Sequence, residues 1–104
     1  MTTNSKEKIT VSIDSELKEL IPGFLRGREE DIHTLNQSLE TSDYATIQSI
    51  GHTMKGNGAG YGFDKISEIG RQLEIAAKKK EDTAISEHTD ALRVYLREID
   101  IIYE

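Results

Sequence analysis

Cysteine is absent from the 104 residues, which excludes a disulfide framework and a thiolate zinc site and fits a reducing compartment. No apolar run approaches the ~18 residues of a membrane-spanning helix. The N-terminal residues are polar and charged, unlike a signal peptide. A cytoplasmic protein without membrane insertion is the expectation. Proline occurs once and no run reads as alternating with period two, which argues against a β architecture. An excess of basic charge is also lacking. The formal net charge of −6 argues against nucleic acid as the main partner, because phosphate contacts need a basic face. Lys78-Lys79-Lys80 is a local exception, and reads as a helix end where cations suit the dipole. Nothing near His52 resembles a P-loop, a nucleotide motif or paired carboxylates for magnesium.

What is present is helical periodicity. At this length the chain is one domain, large enough for a core without staples. Residues 1–11 read as a flexible polar tail, and residues 12–104 as the folded unit. Asp14 or Ser15 can cap a short helix with Leu17, Leu20 and Ile21 on its apolar side, ended by Pro22-Gly23. A longer helix to about Glu40 carries Phe24, Leu25, Ile32, Leu35 and Leu39 on one face. Thr41-Ser42-Asp43 forms a loop and cap, and a helix then runs to about Tyr61. Asp64 caps the next, whose stripe is Ile66, Ile69, Gly70, Leu73 and Ala77. Asp82 caps the last, with Ile85, Leu92, Tyr95, Ile99 and Ile102 pointing inward. The expected fold is all-α, an antiparallel four-helix bundle with a short additional N-terminal helix.

The third of these helices is unusual. With Ile47 at zero, Ile47, Ile50, Gly51, Met54, Gly58 and Tyr61 fall within roughly 50° of one direction. His52 comes out at about 140°, on the opposite side. Its neighbours one and two turns away are Ala45, Gln48, Ser49, Lys55, Gly56 and Ala59. The imidazole should therefore stand in water, ringed by small side chains, with one ammonium in reach. Glycine inside a helix costs about 1 kcal/mol relative to alanine, and this stretch holds Gly51, Gly56, Gly58 and Gly60. Gly51 and Gly58 face the core, where a missing side chain admits a neighbouring helix. Gly56 faces outward, where packing gives no reason for it. A bare backbone beside an exposed histidine suits the approach of a docking partner.

The pattern His52-x-x-Lys55-Gly56-x5-Gly62 resembles that of histidine-containing phosphotransfer (HPt) domains of bacterial multistep two-component systems. Gly51, Gly60-Tyr61-Gly62-Phe63, Leu73-Glu74 and Leu20-Ile21-Pro22-x-Phe24-Leu25 extend the resemblance over about residues 12–104. It implies that His52 accepts a phosphoryl group from a receiver-domain aspartate or hybrid sensor kinase and hands it to another response regulator. It implies no cofactor in this chain, with Mg2+ held by the receiver partner.

The residues agree with that chemistry. A neutral imidazole nitrogen is a competent nucleophile, and Lys55, one turn on, can steady added phosphoryl oxygens. Since the machinery of phosphoryl transfer is absent here, the partner must supply it. His52 is then a phospho-carrier rather than part of an enzyme, on a chain expected to be monomeric. Ala45, Gln48, Ser49, Gly56 and Ala59 are the candidate docking residues, and Gly62 reads as a helix stop. His88 reads as a half-buried packing residue, and Tyr61, Tyr95 and Tyr103 as core or rim aromatics.

Three other readings compete with this one. Glu30-x-x-His33 has the ligand spacing of di-iron bundles, but those need two such pairs and further glutamates, all pointing inward. A chemotaxis-type kinase segment would need attached nucleotide-binding and dimerisation domains. A helical interaction module that is never phosphorylated explains Gly56, but not a nucleophile beside it.

Overall fold

The computed structural model describes residues 8–104. Four helices dominate it: α1 (Ile21–Glu40), α2 (Tyr44–Asn57), α3 (Asp64–Lys78) and α4 (Asp82–Glu98). Each buries one stripe. Ile21, Phe24, Ile32 and Leu35 come from α1, Ile47 and Met54 from α2, Ile66, Ile69 and Leu73 from α3, and Ile85, Leu92 and Tyr95 from α4. Phe63 is fully buried between α2 and α3, and Phe24 stacks on both Tyr61 (4.4 Å between centroids) and Phe63 (5.6 Å). His88 is half-buried.

The two ends of the chain depart from the helical expectation. Residues 1–7 of the expected tail lie outside the described residues. Ile9–Ile13 forms a strand, β1, and Ile99–Tyr103 a second, β2. They pair in parallel, from Ile9 opposite Ile99 to Ile13 opposite Tyr103. Glu104 extends the ladder, donating its N–H to Ile13 O (2.9 Å) and accepting from Ser15 N–H (2.7 Å). Ile9-Thr10-Val11-Ser12-Ile13 therefore does alternate, with Ile13 buried and Thr10 and Ser12 exposed. The last helix stops at Glu98 because Ile99 turns extended (φ −75°, ψ 145°). Ile102 consequently faces outward, 48% exposed, rather than into the core.

The expected leading helix is also replaced. Ser15–Leu17 makes one 3-10 turn, with the Asp14 carboxylate accepting from Glu16 N–H at 2.8 Å. Pro22 does not break a helix; it sits in the first turn of α1, where a missing N–H costs nothing. Asp64 and Asp82 occupy the first turns of α3 and α4 rather than their caps. There their charge still opposes the helix dipole, and Asp82 also accepts the Tyr44 hydroxyl proton at 2.6 Å.

Candidate functional site

Helix α2 starts at Asp43, whose carboxylate accepts from the Thr46 N–H (3.2 Å) and hydroxyl (2.7 Å). It ends four residues sooner than its apolar spacing suggests. Ser67 of α3 donates its hydroxyl to Lys55 O (3.0 Å) and accepts the Ala59 N–H (2.7 Å), satisfying groups that a longer helix would have paired internally. Ala59–Tyr61 then forms a 3-10 turn closed by Gly62 in the left-handed region, φ 96°. Ala59 is thus on the turn and not on α2.

Glycines bring α2 and α3 together. A Cβ on Gly51 would lie 2.7 Å from Glu74 N and 2.7 Å from Gly70 O. One on Gly70 would lie 2.5 Å from Lys55 N, and one on Gly58 2.6 Å from Ser67 N. Side chains at these positions would force the helices apart. Gly56 differs, since a Cβ there meets nothing within 4 Å. It is open surface.

This close crossing sets the surroundings of His52. The ring is 69% exposed on α2, and its Nδ1 lies 3.1 Å from Oε2 of Glu74 on α3. The other carboxylate oxygen of Glu74 accepts from Lys55 Nζ at 2.8 Å. Glu74 itself is only 11% exposed. The Lys55 ammonium holds the Glu74 carboxyl below its usual pKa range, outweighing partial desolvation, and His52 adds in the same direction. A carboxylate accepts hydrogen bonds only, so Nδ1 must carry the proton in this pair. The remaining lone pair of a neutral ring is then on Nε2.

Ala45, Gln48, Ser49, His52 and Glu74 line one shallow groove of ≈ 470 Å³. The structure therefore brings four of the sequence-derived positions together, places Lys55 at the far oxygen of Glu74, and leaves Gly56 and Ala59 outside the groove. Glu74 is the residue to which sequence reasoning gave no role. The available signal was a glutamate at the edge of an apolar stripe, one turn after Gly70. Glu30 and His33 are both exposed. Among the described residues no group of three or more His, Asp or Glu side chains is arranged to hold a metal. Among them, too, no helix is long and apolar enough to cross a membrane.

Comparison with curated proteins and with solved structures gave no match. The family model for the Hpt domain matches residues 19–100, a span that takes in all four helices. The chain belongs to the Hpt domain family, whose members are phosphotransfer modules of phosphorelays.

Proposed function

We propose that His52 is the phosphoryl-carrying residue of this module. It takes a phosphoryl group from a receiver-domain aspartate, or from a hybrid sensor kinase, and passes it to another response regulator. The observation that carries this reading is the exposed ring whose Nδ1 faces Glu74. With the proton held on that side, the Nε2 lone pair attacks phosphorus. An N–P bond forms, the P–O bond to the aspartate breaks, and the aspartate leaves as a free carboxylate. The ring becomes a phosphoimidazolium, and its new positive charge is met by the Glu74 carboxylate. No proton has to leave during the step. Transfer onward is the reverse attack by a second aspartate.

Lys55 is proposed to steady the phosphoryl oxygens. Its Nζ stands on the neighbouring oxygen of Glu74, within a side chain's swing of the ring. The bare backbone at Gly56 and the groove of Ala45, Gln48 and Ser49 are proposed to admit the partner, with Ala59 at the margin of the same surface. Gly62 serves the turn that ends this surface. Magnesium and the residues that activate the phosphoryl group are assigned to the partner, and this chain to the role of carrier, not enzyme. The reading takes the four helices as an antiparallel bundle acting as a cytoplasmic monomer.

An interaction module that is never phosphorylated accounts equally well for an open Gly56. It leaves the hydrogen-bonded set of His52, Glu74 and Lys55 without a purpose. The deciding experiment incubates the protein with receiver domains charged by acetyl phosphate. Wild type should take up acid-labile, base-stable label, and His52→Gln, with unchanged helicity, should take up none. Label of equal amount on His52→Gln would remove the assignment.

A further inference from the structure

The helices contact one another in a ring, α1 with α2, α2 with α3, α3 with α4, and α4 with α1. The α1/α4 groove therefore lies across the bundle from the α2/α3 pair that carries His52. It is a channel of ≈ 510 Å³ whose apolar floor is Ile32 and Leu96. Its walls are donors: His33 and Asn36 on α1, Arg93 and Arg97 on α4. Glu29 is the one acidic side chain lining it. Arg93 pairs with Asp90 on its own helix, whereas Arg97 has no ion-pair partner among the described residues. On a protein of net charge −6, Arg97 is thus an unpaired cation, among the described residues, beside an apolar floor.

We propose that the α1/α4 groove is a second docking site, and that its occupant is an acidic amphipathic helix of a partner protein. A channel between two helices offers the ridges and grooves into which a third helix packs. The apolar floor calls for apolar side chains on that helix, and the arginines for carboxylates flanking them. Nucleic acid has no apolar stripe to cover Ile32 and Leu96. A partner seated there leaves His52 uncovered, so attachment and phosphoryl transfer use separate faces.

The test is a titration of the isotope-labelled full chain, followed by amide NMR. The probe is a synthetic peptide of about 15 residues, long enough to fold as a helix on a surface, with leucine and glutamate at helical spacing. A control peptide carries lysine in place of glutamate. The acidic peptide should shift Ile32, His33, Asn36, Leu96 and Arg97 and leave Gln48, Ser49 and His52 unmoved. The Arg93→Glu/Arg97→Glu double variant should weaken binding about tenfold or more, and still accept phosphoryl on His52. Arg97→Ala gives the same direction with less risk to the fold. Absence of shifts, shifts centred on α2 and α3, equal binding of the lysine peptide, or unchanged affinity in both variants would each overturn the proposal.

Discussion

Glu74 Oε2 stands 3.1 Å from His52 Nδ1, while Glu74 Oε1 stands 2.8 Å from Lys55 Nζ. One carboxylate thus orients the ring and restrains the ammonium beside it. The first prediction concerns this carboxylate. Glu74→Ala should slow phosphoryl uptake by roughly 10–100-fold, the worth of a hydrogen bond to a charged group. Rates with a phosphorylated receiver, read alongside circular dichroism, check this. An unchanged rate in a folded variant would reduce Glu74 to a packing residue.

Acid stability gives a second prediction. The Glu74 pKa is lowered in the folded protein from its ordinary 4.5, chiefly by Lys55. Its contribution to stability is therefore present above about pH 4.5, the unfolded value, and is lost as pH falls through the folded pKa. Chemical denaturation of wild type and Glu74→Gln across this range should show the wild-type advantage shrinking as the solution is acidified. A constant difference would mean that the ion pair is not linked to folding.

The glycines of α2 should separate into two kinds. Gly51→Ala places a methyl 2.7 Å from the backbone of α3 and should cost about 1–3 kcal/mol, with slower transfer because Glu74 is displaced. Gly56→Ala meets nothing within 4 Å and should gain about 1 kcal/mol from helix propensity. Gly56→Leu should keep that stability while obstructing the partner and slowing transfer. Thermal melts set beside transfer rates decide it, and a destabilised Gly56→Ala would make that glycine structural.

The helices and the outward histidine were legible because a period near 3.6 concentrates apolar residues on one side of each segment. The core-facing glycines Gly51 and Gly58 were legible for the same reason, and both meet backbone of α3. The strands were hidden by arithmetic. Ile99 and Ile102 lie four and seven residues beyond Tyr95, so they prolong the stripe of α4 as readily as they form a strand. Their pairing is with β1, ninety residues earlier, a contact that no local pattern carries. The short alternation of Ile9, Val11 and Ile13 is only five residues long. Glu74 was missed because its partners sit on another helix. Only the Gly51–Gly70 crossing places that carboxylate against the ring.

Lys55 supplies the fourth prediction. Lys55→Ala removes a half-exposed side chain and should leave the fold intact, shifting stability by no more than about 1 kcal/mol. Transfer should slow, or the phosphohistidine should hydrolyse faster, and Glu74 should titrate closer to its ordinary value. Decay of label over time, with carboxyl NMR titration, reads both effects. A variant with wild-type transfer and lifetime would free Lys55 of any phosphate role.

The most direct measurement is nitrogen-resolved NMR of the phosphorylated protein. It identifies which ring atom bears phosphorus and whether the other keeps its proton. The account predicts phosphorus on Nε2 of His52, with the Nδ1 proton retained and hydrogen-bonded toward Glu74. Phosphorus on Nδ1, or on any residue other than His52, would contradict it.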